Sequence, residues 1–182
     1  MSITFKYFYF GALLVPLTVA NLCVAQDQAF GFGRAPTTDE LSEADIDVRY
    51  DGLGLPSGLG SADEGERTYQ AKCAACHGTK LEGNRELYIK PLKGERRHAI
   101  NNWPFAPPLF GYIRRSMPLT APGSLTNDEV YGLVAYLLQE TGLLDRAAKP
   151  LDAASLSLVR MPNRSNFVPT TNSGVILPKV PD

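Results

Sequence analysis

Two segments of the sequence combine a helix-capping signal with apolar residues at helical spacing. The first begins at Ser61, in the order Ser-Ala-Asp-Glu, and places Gly65 and Tyr69 on one face of the expected helix. The second begins at Thr126, in the order Thr-Asn-Asp-Glu, and Gly142 follows it as a suitable C-terminal cap. Its apolar stripe consists of Val130, Leu133, Val134, Leu137 and Leu138. These patterns predict two core helices, which a small residue at Gly65 allows to cross closely.

A shorter helix is expected between these two, beginning near Pro107 or Pro108. The residues expected to face inward from it are Leu109, Phe110 and Ile113. Pro118 prevents any helical continuation, so Met117 should lie in a loop just after this helix. The predicted fold class is therefore mainly α, a small helical domain with extended N- and C-terminal arms.

The composition changes along the chain and indicates four segments. Residues 1–25 are dominated by apolar side chains, and residues 26–60 form an acidic, Gly/Pro-rich extended arm. Residues 61–142 hold the helical patterns, and residues 143–182 show no long periodic stretch. We expect that last segment to be an irregular tail that wraps a surface.

The N-terminal segment has the pattern of a secretory signal peptide. An almost wholly apolar stretch at residues 7–19 follows Lys6, and a small-residue site ends at Ala25. We expect cleavage after Ala25, export to the periplasm and no membrane span in the mature protein. A retained anchor is the alternative, which Pro16 disfavours. A lipoprotein is excluded because Leu22 is too large to precede a lipidated Cys23.

The overall composition excludes several classes of function. The 18 basic and 19 acidic residues nearly cancel, which argues against nucleic-acid binding. Three cysteines among 182 residues do not make a disulfide scaffold. No phosphate-binding glycine loop or nucleophile–base pair stands out.

The most informative motif is Cys73-Ala-Ala-Cys76-His77, the C-x-x-C-H pattern of covalent c-type haem attachment. Two thiols three positions apart on a helical turn lie on one face and can add to the two vinyl groups of one haem edge. The imidazole of His77 can then bind the iron. A zinc site would need more ligands than the sequence offers, and a thioredoxin-like pair would need a βαβ context. A plain disulfide leaves His77 unexplained.

Met117 is the predicted second axial ligand of a single covalent haem c. It lies forty residues after His77 in a loop that can reach over the iron, and its thioether is a soft ligand. Met/His ligation would give the potential of an electron carrier. Two alternatives are Met161, in the proline-rich tail, and His98, which would give bis-histidine ligation.

Two further residues are expected to help to hold the haem. A ligating imidazole usually donates its other ring N–H to a carbonyl or carboxylate, and Pro91 is placed to offer its carbonyl to His77. Trp103 is the one tryptophan of the chain, and its indole N–H could bond a haem propionate. The alternative role of Trp103 is simple packing.

These features together resemble a class I cytochrome c, and more closely the cytochrome c subunit of sulfite/sulfane dehydrogenases of the Sox sulfur-oxidation system. The stretches that carry the resemblance are residues 45–49, 52–56, 103–106, 112–118, 122–126, 130–131, 135–138 and the Met-Pro-Asn-Arg run at 161–164. It covers roughly residues 33–167. Some members of that family carry two haems, whereas this chain has one C-x-x-C-H motif.

The resemblance implies an electron-transfer subunit that is not catalytic alone. It would accept electrons from a molybdenum-containing sulfite or sulfane dehydrogenase subunit and pass them to a downstream cytochrome c. It also favours an acidic arm that lies along the catalytic subunit over one that folds back on its own domain. Two other functions stay open: a haem enzyme or ligand sensor with an open sixth site, and a free-standing carrier for another dehydrogenase.

A docking surface for such partners is expected in the basic segment at residues 67–115. This segment holds ten basic and three acidic side chains and includes the attachment motif. Its candidate docking residues are Lys72, Lys80, Arg114 and Arg115. Charges of this kind steer association and are weakened by salt.

Overall fold

The computed structural model describes residues 33–44, 46–94 and 100–166. In this part of the chain the elements are six α-helices and one 3₁₀ turn. They are α1 (Thr38–Ala44), α2 (Ala62–Lys72), α3 (Ala74–His77), α4 (Ala106–Ser116), α5 (Asn127–Glu140), α6 (Ala153–Ser157) and the 3₁₀ turn Arg164–Asn166. The same ranges contain no β-strand, and two isolated bridges join Gly60 to Leu151 and Asn84 to Ile89. The predicted mainly helical fold is confirmed.

Helices α2 and α5 begin at the residues that their capping sequences predict. The Ser61 side chain accepts a hydrogen bond from the backbone of Glu64, and the Glu64 carboxylate accepts one from the Ser61 backbone. Thr126 and Glu129 form the same reciprocal pair at α5. Each capping box satisfies backbone N–H groups that a helix leaves without an internal partner. Both helix starts are therefore determined locally.

The contact between α2 and α5 depends on two glycines that face each other. A Cβ atom built on Gly65 would lie 1.8 Å from the carbonyl oxygen of Gly132, so no larger residue fits at this crossing. A Cβ atom on Gly132 would lie 3.0 Å from the Gly65 nitrogen, which is tight but nearer to ordinary contact. The close crossing expected from Gly65 is confirmed, and Gly132 is its partner.

Helix α4 also packs against α5, and it ends where the sequence indicates. Its buried residues include Leu109, Phe110 and Ile113, as predicted. The centroids of the Phe110 and Tyr131 rings lie 4.4 Å apart, and the two rings are tilted relative to each other, which is a favourable geometry for an aromatic pair. Met117 follows the last residue of α4 in an extended conformation.

Residues 46–60 pack against α4 and α5 of their own chain. The Arg115 guanidinium pairs with Asp47 at 3.1 Å, and Val48 lies against Gly111. The Tyr131 hydroxyl donates a hydrogen bond to the Pro56 carbonyl at 2.7 Å. This stretch therefore makes several contacts within the chain, while Leu53 and Leu59 stay exposed. The expectation that the acidic arm lies along a catalytic subunit stays a prediction.

The segment after α5 is more ordered than the expected irregular tail. Leu151 forms a bridge with Gly60, through hydrogen bonds of 3.0 and 2.9 Å. Asp152 and Ser155 then cap the short helix α6, which is an additional element within the expected irregular tail. Leu156 and Met161 are both buried in the core. The tail does cover a surface of the helical domain, and it contributes to the core in doing so.

The predicted signal segment, residues 1–25, lies outside the described residues. In the ranges that the structure describes, no helix has the length and apolar character needed to cross a membrane. The four-segment division of the chain stays a prediction.

Substitution of Gly65 by alanine should destabilise the protein by about 2 kcal/mol, because the added methyl group forces two backbones apart. Gly132→Ala is the matched control. It adds the same methyl group and the same gain in helix propensity, about 1 kcal/mol, but meets atoms no closer than 3.0 Å. Urea unfolding followed by circular dichroism gives both free energies. An equal or smaller loss for Gly65→Ala would contradict the described crossing.

Candidate functional site

The C-x-x-C-H motif lies at a break between two helices. Helix α2 ends at Lys72, and Cys73 leaves helical geometry before the single turn of α3 begins. The Cys73 carbonyl accepts hydrogen bonds from the backbone N–H groups of Cys76 and His77, at 3.1 and 3.0 Å. A one-residue interruption at Cys73 thus separates the helix that begins after Ser61 from the turn that holds the motif. The turn still brings both cysteines and His77 close together along the chain.

The two thiols of the motif are free, and their exposure differs. Cys73 is half-buried against the core, whereas Cys76 is exposed. Burial raises the pKa of the Cys73 thiol to about 11, which keeps it protonated at neutral pH. The two cysteines do not form the alternative disulfide. Nor do the described ranges contain a cluster of three or more His, Cys, Asp or Glu side chains suited to a metal ion, as a zinc site would need.

His77 is a half-buried, neutral imidazole. Burial lowers its pKa below the usual value, because the charged form is poorly solvated there. Its Nδ1 atom is buried without a hydrogen-bond partner. The bond expected from His77 to the Pro91 carbonyl is therefore not made in this structure, and the role of Pro91 stays a prediction. Buried polar atoms without partners are uncommon in folded proteins, so this imidazole has unused binding capacity.

The backbone on the far side of His77 is held by hydrogen bonds that the sequence did not reveal. The His77 carbonyl accepts one from the Gly83 N–H at 2.8 Å. From α2, Tyr69 donates its hydroxyl hydrogen to the Gly78 carbonyl at 2.7 Å, and Gln70 donates to the Thr79 carbonyl at 3.0 Å. The position of His77 is thus fixed from two directions. Burial also raises the pKa of Tyr69, so its hydroxyl stays a donor.

The two methionines considered as axial ligands have different surroundings. Met117 caps the C-terminus of α4, with its N–H bonded to the Ile113 carbonyl at 3.0 Å, and its side chain is half-buried. Met161 is only 4% exposed and belongs to the hydrophobic core. Met161 therefore has the surroundings of a core residue, whereas Met117 lies at the edge of the core. His98 lies outside the described residues.

Trp103 lies just before α4 and stacks on it. Its ring centroid is 5.6 Å from that of Tyr112. The side chains of Trp103, Cys73 and Met117 are all half-buried and pack against the same hydrophobic core. All three predicted site residues thus have an apolar surface of the domain core on one side.

Part of the basic charge near the motif is neutralised within the chain. Lys72 pairs with Glu129 at 2.5 Å, and Arg115 with Asp47 at 3.1 Å. The hydrogen bond from Lys72 holds the pKa of Glu129 below its usual range. Lys80 and Arg114 form no ion pair with another described residue. Of the four expected docking residues, these two are thus the ones without an ion pair in the described part of the chain.

The residues present fit a covalently attached haem. The thiols of Cys73 and Cys76 are both reduced and lie one turn apart, as two thioether bonds require. The adjacent imidazole of His77 is neutral, and a neutral imidazole is the form that binds a metal. The half-buried side chain of Met117, which packs against the core, carries a thioether, a soft ligand that can serve as the second axial ligand.

Comparisons with known proteins agree with this chemistry. Residues 60–137 match the family model of the cytochrome c oxidase cbb3-type subunit III. The crystal structure of the sulfane dehydrogenase SoxCD from Paracoccus pantotrophus superposes with a TM-score of 0.68 and 30% sequence identity, covering 81% of this chain and 76% of that one. Thiosulfate dehydrogenase of Allochromatium vinosum is 33% identical over 82 residues, which are 41% of this chain. That alignment spans 29% of the relative, less than a third of its length.

The chain belongs to the class I c-type cytochromes. It is a cytochrome c electron-transfer domain of the kind that carries covalently bound haem c. The two named proteins to which it is similar are both dehydrogenases of sulfur compounds.

Proposed function

We propose that this chain carries one haem c, bonded through Cys73 and Cys76 and ligated by His77 and Met117, and that it transfers single electrons within a sulfur-compound dehydrogenase complex. The observation that carries the proposal is the pair of free thiols beside a half-buried, neutral imidazole whose buried Nδ1 atom has no hydrogen-bond partner. In the described part of the chain, no other group of residues combines free thiols, a neutral imidazole and a buried ring nitrogen without a partner.

The chain's own residues would hold the cofactor in a fixed position. Haem c, when bound, supplies an iron centre that gains and loses one electron. Tyr69 and Gln70 hold the backbone after His77, and the end of α4 holds Met117. Ligation by histidine and methionine favours a potential in the range of electron carriers. Fixed ligand positions keep the rearrangement between the two oxidation states small, which favours fast electron transfer.

The proposed electron donor is a molybdenum-containing sulfite or sulfane dehydrogenase subunit, and the proposed acceptor is a downstream cytochrome c. The similarity to a sulfane dehydrogenase over most of the chain supports this choice of donor. Export by an N-terminal signal peptide would place the protein in the periplasm. Exposed Cys76, with exposed Lys80 nearby along the chain, supports electron exchange through the surface at the attachment motif.

Covalent attachment is tested by replacing the cysteines. The wild-type protein should retain haem through acid–acetone extraction and stain for haem on a denaturing gel, whereas Cys73→Ser/Cys76→Ser should lose that stain. Cys23→Ser is the control, because it removes the thiol that signal cleavage is expected to remove. Haem that leaves the wild-type protein with the solvent would overturn the proposed attachment.

The axial ligand is tested by conservative replacement of each methionine. Met117→Leu should abolish the long-wavelength charge-transfer band that a methionine–iron bond gives in the oxidised protein. Met161→Leu keeps the volume of a core side chain and should leave the band unchanged, at a cost in stability below about 1.5 kcal/mol. Loss of the band in Met161→Leu alone would move the ligand to the tail. Absence of the band from the oxidised wild-type protein would contradict methionine ligation altogether.

The partner is tested on the native complex. Affinity purification from the source cells should yield molybdenum together with haem, and added sulfite or a sulfane compound should reduce the haem within the complex. The variant Cys73→Ser/Cys76→Ser should still co-purify with molybdenum but show no reducible haem. A haem protein that purifies without molybdenum and is reduced by neither compound would contradict the proposed partner.

A further inference from the structure

The segment after α6 is fastened to the loop that precedes α4. Met161 is buried in the core, and its carbonyl accepts a hydrogen bond from the Arg164 N–H at 3.3 Å. The Asn163 side chain donates to the Asn102 carbonyl at 2.7 Å, a contact across 61 positions of sequence. These contacts determine where the side chain of Arg164 is placed.

Arg164 is a partly buried cation whose charge is not matched within the described chain. Its guanidinium lies over the ring of Phe105, 5.4 Å from the centroid. Its Nη2 atom is buried and has no hydrogen-bond partner, and Arg164 forms no ion pair with another described residue. A guanidinium remains charged at every physiological pH. A buried donor on a charged group costs free energy when it has no partner, so we expect an anion to bind beside this guanidinium.

Arg164 lies near a residue that the sequence predicts at the haem site. Phe105, the ring under its guanidinium, is two positions from Trp103, whose indole N–H is expected to bond a haem propionate. In the same loop, the Oδ1 atom of Asn101 is also buried without a partner. Two of the three unpartnered buried side-chain atoms in the described part of the chain therefore lie in this tail–loop contact, and the third belongs to His77.

We propose that Arg164 binds a carboxylate of the haem, so that the tail supplies the counter-charge for a propionate. The two propionates are the anionic groups that the proposed cofactor brings to an otherwise apolar site. Guanidinium and carboxylate match in shape and form paired, charge-assisted hydrogen bonds. The Phe105 ring holds the guanidinium in a fixed plane, which reduces the entropy lost on pairing. This inference rests on the proposed attachment of haem at Cys73 and Cys76.

The proposed pair of Arg164 and a propionate should shift the reduction potential of the haem in a direction that can be measured. Oxidation of the iron adds one positive charge, which a nearby cation disfavours, so Arg164 raises the reduction potential. A variant without the cation should therefore have a lower reduction potential.

The experiment compares three variants of the haem-loaded protein by redox titration. Arg164→Gln should lower the potential, and Arg164→Lys should keep most of the native value because it keeps the charge. Arg160→Gln is the matched control, since Arg160 is exposed in the same tail and its replacement removes the same charge. It should leave the potential unchanged. The propionate-bending band in resonance Raman spectra should shift in both Arg164 variants and not in Arg160→Gln.

The alternative outcomes are distinct. If Arg164→Gln loses stability with no change in potential or propionate band, the guanidinium only stacks on Phe105 or bonds an internal water, and the proposal is wrong. If Arg164→Gln fails to accumulate, the Raman comparison of Arg164→Lys with wild type decides the question. Failure of the proposed attachment would appear differently, as haem that is extracted from the wild-type protein itself.

Discussion

The backbone contact between Gly65 and Gly132 is the constraint on which the rest of this structure depends. With no side chain between them, α2 and α5 approach closely enough for the Gly132 backbone to lie against Gly65. This crossing sets the direction in which α2 ends, and α2 ends directly before Cys73. It also sets the face of α5 that remains for α4, and α4 ends at Met117. The positions of both proposed axial ligands are thus coupled to one helix crossing.

The two arms of the chain stabilise this arrangement from outside the helices. Residues 46–60 bond α4 and α5, and the tail pairs with Gly60 before it reaches the loop that holds Trp103. Segments that looked like extensions in the sequence therefore contribute hydrogen bonds and buried apolar area to the domain. The likeness to the sulfane dehydrogenase structure covers 81% of the chain, which agrees with arms that belong to the fold.

Features encoded in a few neighbouring residues were predictable from the sequence. Both capping boxes, the C-x-x-C-H turn and the end of α4 before Pro118 follow from local chemistry, and each was found. Features that depend on contacts distant in sequence were not predicted. They include the pairing of Leu151 with Gly60, the bond from Gln70 to the Thr79 carbonyl, and the inward course of the tail. Helix α6 was missed because five residues give too little periodicity, although Asp152 and Ser155 carry a capping signal.

The pairing of Gly60 with Leu151 has a consequence for the order of assembly. Protein synthesis runs from the N-terminus, so the attachment motif leaves the ribosome well before Leu151 and Met161 do. During that interval α2 and the cysteines exist without the segment that later closes over the loop before α4. The loop before α4 therefore reaches its final packing only after residues 151–163 have been added to the chain.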